Sequence, residues 1–136
     1  MNIAVVDGQG GGIGKQLIES LRKELGDAVH ILALGTNSLA TSAMLKAGAN
    51  DGATGENAVV LGSSRADFIL GSAGILCANA MLGELTPAMA VAIGASSAKK
   101  LLIPLNRCSL YFVGAPTLSV QEYIAGIVAF IKQELP

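Results

Sequence analysis

The chain has 136 residues, of which 51% are hydrophobic and 14% are charged, and its nine basic and ten acidic side chains leave a formal net charge of −1. This length suits one domain, and the near-neutral charge excludes the basic surface that binding to nucleic acid requires. We therefore expect a single domain over residues 1–136 that does not bind nucleic acid.

The first half of the chain alternates apolar runs with apolar residues at helical spacing. The predicted elements are a strand over 3–6, a helix over 13–25, a strand over 30–34 and a helix over 38–47. Gly26 and Gly48 are expected to end the two helices. Residues 50–55 are expected to turn, and it is left open whether they also form a short strand.

The second half continues the alternation. Its predicted elements are a helix over 56–64, a strand over 67–70, a helix over 87–96, strands over 100–105 and 110–113, and a last helix ending near residue 135. Thr54 is a candidate N-cap, Thr86 followed by proline is typical of a helix start, and Ser119 with Glu122 forms a capping-box pattern.

Alternating strands and helices predict an α/β fold: a single three-layer Rossmann-like domain with a mostly parallel sheet of about 5–6 strands and helices on both faces. Only about four residues, 106–109, separate the last two predicted strands, and a parallel crossover needs more. The strand over 110–113 is therefore expected to be an antiparallel edge strand.

A glycine-rich turn lies between the first predicted strand and the first predicted helix. Gly8, Gly12 and Gly14 resemble the turn of short-chain dehydrogenases, and residues 11–15 resemble the phosphate loop of partitioning ATPases. Neither pattern is complete: Gly35-Thr36-Asn37 stands where the dehydrogenases have an acidic ribose ligand, and Gln16 stands where the phosphate loop has Ser or Thr.

Glycines let the backbone approach a ligand closely, and free amides at a helix N-terminus attract phosphate. The turn therefore predicts a site for phosphate, a nucleotide or a dinucleotide, formed by Gly8, Gln9, Gly10, Gly11, Gly12, Ile13 and Gly14. The alternative is that the glycines only allow a tight turn and close packing. Asp7 would repel a pyrophosphate, so we expect it to cap the turn, with metal binding as its alternative.

Ligands of open parallel sheets bind beyond the carboxyl ends of the strands. The polar residues predicted there include Thr36 and Asn37, which are expected near a sugar, and Asn106 and Arg107. Arg107 is the best anion ligand among them, and its alternative is a surface cation in a hairpin turn.

Other polar residues near this edge are expected to have structural roles. Glu56 suits the first turn of a helix, and Cys108 is interpreted as a buried thiol because no general base for a nucleophile is evident. Asn79, Glu84 and Thr86 are candidates to line a pocket, with Thr86 favoured as a helix cap only.

The N-terminus lacks the features of a signal peptide, and the most apolar stretch, residues 68–82, is shorter than the ~20 residues of a spanning helix. Two cysteines and one histidine form neither a disulfide framework nor a zinc pattern. We expect a cytoplasmic protein without a metal site and without membrane contact. Few charges on a small apolar domain predict a homo-oligomer, with Tyr123 and Phe130 of the last helix as a subunit contact.

Several further segments carry a resemblance to a known family: residues 6–15, 33–37, 46–50, 52–58, 78–87 and 104–108. Together they resemble a family of short bacterial proteins known only as a domain of unknown function (number 3842). The resemblance covers almost the whole chain, and it implies no activity, cofactor or catalytic residue. A looser resemblance, at residues 64–70, is to the N-terminal domains of Rossmann dehydrogenases.

Together these features predict a protein that binds a nucleotide or another phosphorylated small molecule at the glycine-rich turn, as a non-catalytic sensor or accessory subunit. One alternative is an enzyme whose site, with Asp7, Glu56 or Cys108, is completed by a neighbouring subunit. The other is a structural subunit that binds no ligand.

Overall fold

The computed structural model describes residues 1–105 and 107–136, and strands alternate with helices along most of this length. The elements are β1 (Asn2–Asp7), α1 (Gly12–Leu25), β2 (His30–Gly35), α2 (Ser38–Ala47), β3 (Asp51–Thr54), α3 (Glu56–Ser63), β4 (Phe68–Ser72), α4 (Pro87–Ala95), β5 (Lys99–Ile103) and α5 (Val120–Glu134). Short 3-10 turns follow α1 and β4.

The strands form one sheet in the order β3-β2-β1-β4-β5, and every pair is parallel. β1 lies at the centre, where Ile3 pairs with Ile31 on one side and with Phe68 on the other. The predicted α/β architecture with a parallel sheet is confirmed.

Helices cover both faces of the sheet because the buried strands are apolar on both sides. On one face, α1, α2 and α5 pack over Ile3, Val5 and Leu70. On the other face, α3 and α4 pack over Ala4, Val6 and Ile69. The central strand therefore alternates its side chains between two cores, as the pleat of a strand requires.

Helix boundaries follow the capping residues closely. Gly26 and Gly48 end α1 and α2 as predicted, and Thr86 caps α4 by accepting a hydrogen bond from the amide of Met89 at 3.2 Å. The prediction that Thr54 caps α3 is wrong, since Gly55 holds that position. Thr54 belongs to β3, so residues 51–54 form the strand that the sequence left open.

The antiparallel edge strand predicted at 110–113 is absent, and these residues are described as turn and irregular structure. Cys108 and Ser109 have φ of 57° and 58°, and the amide of Leu110 donates to the carbonyl of Arg107, so the chain turns tightly there. Tyr111 is 77% exposed and Val113 is 90% exposed. The apolar run therefore lies at the surface and pairs with no strand. Among the described residues, no helix is long and apolar enough to cross a membrane.

Candidate functional site

A crevice of about 230 Å³ lies beyond the carboxyl ends of β1, β4 and β5. Its lining includes Gln9, Ser72, Met81, Leu105, Arg107 and Cys108. The chain leaves β1 in one direction toward β2 and returns to β4 on the other side, so the strand order reverses here. Such reversal points are where open parallel sheets bind ligands.

Three glycines of the turn over residues 8–14, called the glycine turn below, are required by packing. A Cβ on Gly8 would collide with Thr36 and Met81, and a Cβ on Gly14 would collide with Met44. Gly11 has φ of 73°, a conformation that favours glycine, and it caps α1. These glycines let the turn pack against α2 and its neighbours.

Gly10 and Gly12 are different, because packing does not require glycine at either position. A Cβ built on either residue has no heavy atom within 4 Å, and neither residue has the positive φ of Gly11. Among residues 1–105 and 107–136, no acceptor is found for either backbone amide. The glycine turn thus presents two uncovered amides near the N-terminus of α1.

Asp7 is 7% exposed, and its side chain connects the first and last residues of the glycine turn. Its carboxylate accepts hydrogen bonds from the amide of Gly8 at 2.8 Å and from the amide of Gly14 at 2.7 Å. Burial raises the pKa of Asp7, although the amides of Gly14, Gly8 and Ile13 and the charge of Arg107 act to lower it. The prediction that Asp7 caps the turn is confirmed.

Glu84 joins the glycine turn to the end of β2. One carboxylate oxygen accepts from the amide of Gln9 at 2.8 Å, from the hydroxyl of Thr36 at 2.7 Å and from the side-chain amide of Asn37 at 2.7 Å. These donors lower the pKa of Glu84, with the Gln9 amide contributing most. Asn37 also donates to the carbonyl of Gln9 at 2.9 Å, so the cluster holds the turn against β2.

The segment after β5 brings Arg107 and Cys108 to the crevice. Arg107 is exposed, and its charge is close enough to Asp7 to act on the pKa of that residue. The interpretation of Cys108 as a buried thiol is wrong, since its side chain is exposed in the turn that replaces the expected hairpin. Cys77 lies beside it, and burial together with Cys108 raises the pKa of Cys77.

The structure therefore brings most of the predicted site residues to one edge of the sheet. Gly8, Gln9, Thr36 and Asn37 meet around Glu84, which the sequence offered only as a pocket-lining candidate. Asn106 lies outside the described residues. Glu56 is in the first turn of α3, as predicted.

No group of three or more His, Cys, Asp or Glu side chains in the described part of the chain could hold a metal ion. The acidic groups that contact the glycine turn are Asp7 and Glu84. Both carboxylate oxygens of Asp7 and one oxygen of Glu84 accept hydrogen bonds from N–H and O–H donors of the protein.

Fold and site define an α/β protein with one parallel five-stranded sheet, flanked by helices, and a polar crevice at the carboxyl ends of its strands. Residues 2–136 match the family model described as "Domain of unknown function (DUF3842)", and the chain belongs to that family. No curated protein and no solved structure matches the chain.

Proposed function

We propose that the protein binds a small phosphorylated ligand, no larger than a mononucleotide, in the crevice beside the glycine turn. This proposal rests on Gly10 and Gly12, whose backbone amides have no acceptor within residues 1–105 and 107–136 and whose Cβ positions face open space. A turn that served packing alone would need glycine at Gly8, Gly11 and Gly14 only. A phosphate that approaches the backbone closely would explain why Gly10 and Gly12 are also glycine.

Donors on the glycine turn and in the crevice suit a phosphate. Gln9 of the turn lines the crevice together with Arg107, whereas the neighbouring Gly10 faces a separate pocket between α1 and α2, so the phosphate would lie where the turn meets the crevice. The amides of Gly10 and Gly12 lie at the start of α1, a helix of 14 residues whose dipole favours an anion there. Arg107 adds a guanidinium, which pairs with phosphate through two parallel hydrogen bonds. Asp7 opposes an anion, but its carboxylate is already bonded to Gly8 and Gly14 and its pKa is raised.

The strand order supports a Rossmann-like assignment. The order β3-β2-β1-β4-β5 is that of the first five strands of the dinucleotide-binding doubly wound sheet, whose phosphates sit at the first strand-to-helix turn. The glycine turn occupies the corresponding position in this chain.

A whole dinucleotide does not suit the site. In dinucleotide-binding domains the ribose lies near the end of the second strand. Here Glu84 already bonds to Thr36 and Asn37 at that position, and Met81 covers Gly8. The crevice of about 230 Å³ is also below the ~300 Å³ at which pockets for drug-sized ligands begin. These observations favour a mononucleotide or a phosphorylated metabolite.

We propose a binding role without catalysis, as in a sensor or an accessory subunit. An acid–base catalyst needs an oxygen that is free to exchange a proton with a substrate. Both oxygens of Asp7 and one oxygen of Glu84 accept hydrogen bonds from the fold, and the bonds to Glu84 lower its pKa, which makes it a poorer proton acceptor.

Thermal unfolding with AMP, GMP, a hexose phosphate and NAD tests the proposal on the whole chain. A ligand at a hundred times its Kd adds about 2.7 kcal/mol to the free energy of unfolding. We expect a phosphate monoester to raise Tm more than NAD does. No shift with any phosphate monoester at millimolar concentration would overturn the proposal.

Gly12→Ala places one methyl group in the open space above the turn without a clash inside the protein. We expect it to weaken binding about tenfold or more, because the phosphate loses its close approach to the backbone. Gly94→Ala is the matched control, since Gly94 is an exposed glycine of α4. Equal affinity in Gly12→Ala and the wild type would remove the glycine turn from the site.

Arg107→Gln should also weaken binding, by roughly tenfold, because a charge-assisted hydrogen bond contributes about 1.5–3 kcal/mol. Arg65→Gln is its control: Arg65 is exposed at the opposite, amino-terminal edge of the sheet. Calorimetric titration of both variants compares the affinities directly.

A further inference from the structure

The outer edge of β5 is open. β5 is the last strand of the sheet, and it pairs with β4 from Lys99 opposite Phe68 to Ile103 opposite Ser72. Within residues 1–105 and 107–136, no other strand pairs with it. An edge strand leaves a row of N–H and C=O groups free to pair with another strand.

Exposed edges are often protected by lysines that point into solvent, but both lysines of β5 are engaged on their own chain. Lys100 donates to the carbonyls of Gly94 and Ser96 at 3.1 and 2.6 Å and so caps the end of α4. Lys99 lies 5.2 Å from the ring centre of Phe130. Lys99 is also 3.7 Å from Glu134. Lys100 is thus directed to the end of α4, and Lys99, with 56% of its side chain exposed, is directed to α5, so neither lysine extends across the free edge.

An apolar groove of about 370 Å³ runs between this edge and α5. Its lining includes Leu101, Leu102, Leu118, Glu122, Gly126 and Phe130. Leu118 is 41% exposed and Phe130 is 36% exposed. Glu122, Gly126 and Phe130 recur every four residues, so they share one face of α5. A Cβ on Gly126 would meet no heavy atom within 4 Å, so the centre of the groove is open.

We propose that a second copy of this chain occupies this groove, with the two β5 strands paired antiparallel about a two-fold axis near Leu101. The pairing joins the two five-stranded sheets through their free backbone groups and is closed, since each copy uses the same surface. It sets Leu101 against Leu101 of the partner subunit and covers the exposed parts of Leu118 and Phe130.

Charge along the groove favours this antiparallel arrangement. Lys99 begins β5, whereas Glu122 lies in the first turn of α5, the helix that follows β5 and packs back along it. Lys99 and Glu122 are thus at opposite ends of the groove, and Lys99 keeps 56% of its side chain exposed beside Glu134, which leaves it accessible to a second carboxylate. Antiparallel pairing places Lys99 beside Glu122 of the partner subunit at both ends of the interface.

Sedimentation equilibrium of the whole chain at micromolar concentrations tests the proposal. We expect a dimer, and we expect Gly126→Lys to raise its Kd by roughly tenfold or more, because the added side chain fills the open centre with a charge. Val91→Lys is the control, since Val91 is 68% exposed on α4, which lies on the other face of the sheet. A monomeric wild type, or a dimer that Gly126→Lys leaves intact, overturns the proposal.

Removal of the two charges tests the register. Lys99→Gln and Glu122→Gln should each weaken the dimer, and the double variant should weaken it by less than the sum of the two single effects, because the two charges meet across the axis whereas their contacts within one chain, with Glu134 and Ser119, are separate. Amide hydrogen exchange should show that every amide of residues 99–103 is protected in the dimer, whereas alternate amides exchange rapidly in Gly126→Lys. Strictly additive effects of the two substitutions on the dimer Kd, or rapid exchange of alternate amides in the wild-type dimer, would overturn the antiparallel pairing.

Discussion

The side chain of Asp7 places a carboxylate beside the glycine turn, where a phosphate-binding turn is expected to hold its ligand. Its carboxylate takes the amides of Gly8 and Gly14, and this leaves the amides of Gly10 and Gly12 uncovered. A negative group near the N-terminus of α1 stabilises the helix, but it also competes electrostatically with a second anion. Asp7 therefore stabilises the turn while weakening the affinity of the proposed site.

Replacing Asp7 by Asn should separate these two effects. We expect Asp7→Asn to tighten the binding of a phosphate monoester by roughly threefold to tenfold, because it removes a like charge that Arg107 partly neutralises. The free energy of unfolding should fall by about 1 kcal/mol, since an amide group cannot accept from both Gly8 and Gly14. Titration calorimetry and urea unfolding measure the two quantities.

Asp27→Asn is the matched control for Asp7→Asn, because Asp27 lies in the turn after α1, at the other end of the strands. It should leave phosphate affinity unchanged. Weaker binding in Asp7→Asn than in the wild type would show that the carboxylate contributes to the site and does not oppose it.

The role of Glu84 was hard to predict from the sequence because its hydrogen-bond partners are distant in the chain. Its donors Gln9, Thr36 and Asn37 are 75, 48 and 47 positions away in the chain, so no local pattern marks the contact. Asp7, in contrast, bonds to residues one and seven positions away, and the adjacent glycines predicted its role. Sequence analysis finds a site residue when its partners lie on the same turn.

Among the secondary-structure elements, helices that carry their own capping residues were predicted well. Ser119 accepts from the amide of Glu122 at 3.1 Å, and Glu122 accepts in return from the amide of Ser119 at 3.1 Å, which completes the predicted capping box. These contacts span three residues, so the sequence contains all of the information that they need.

Ser119→Ala should therefore lower the free energy of unfolding by about 1 kcal/mol, the usual cost of losing an N-cap. Ser42→Ala is the control, because Ser42 is an exposed residue of α2 where alanine favours the helix. Chemical denaturation of the three proteins compares them. A loss in Ser119→Ala no greater than that in Ser42→Ala would mean that the capping box does not stabilise α5.

Two predicted elements were wrong: the edge strand at 110–113 and the helix cap at Thr54. In each case the residue types alone were used to predict the structure. The run over 110–113 is apolar enough for a strand, but Cys108 and Ser109 turn the backbone before any strand can receive it. Thr54 has the side chain of a cap, yet it belongs to β3 and its hydroxyl shares a hydrogen bond of 2.7 Å with Thr41. The second outcome depends on a tertiary contact that no local pattern encodes, and the first depends on a local turn whose residues, Cys108 and Ser109, are not types that favour a positive φ.

At the scale of the whole molecule, Asp7 and Glu84, the two carboxylates that bond to the glycine turn, affect the pH dependence of the free energy of unfolding in opposite directions. Glu84 has a lowered pKa, so its contribution is present above its ordinary value of 4.5 and is lost as the pH falls through its folded value. Glu122 behaves in the same way. Asp7 has a raised pKa, so its contribution is present below its ordinary value of 3.8 and is lost as the pH rises through its folded value.

Acidification should therefore lower the free energy of unfolding through Glu84 and Glu122, while Asp7 partly offsets the loss. We expect Asp7→Asn to lose stability more steeply than the wild type between about pH 5 and pH 3, because the offset is gone. Glu84→Gln should lose it less steeply, since its side chain no longer titrates. Urea unfolding at several pH values gives the slopes. A shallower slope in Asp7→Asn than in the wild type would mean that hydrogen bonding, and not burial, governs the titration of Asp7.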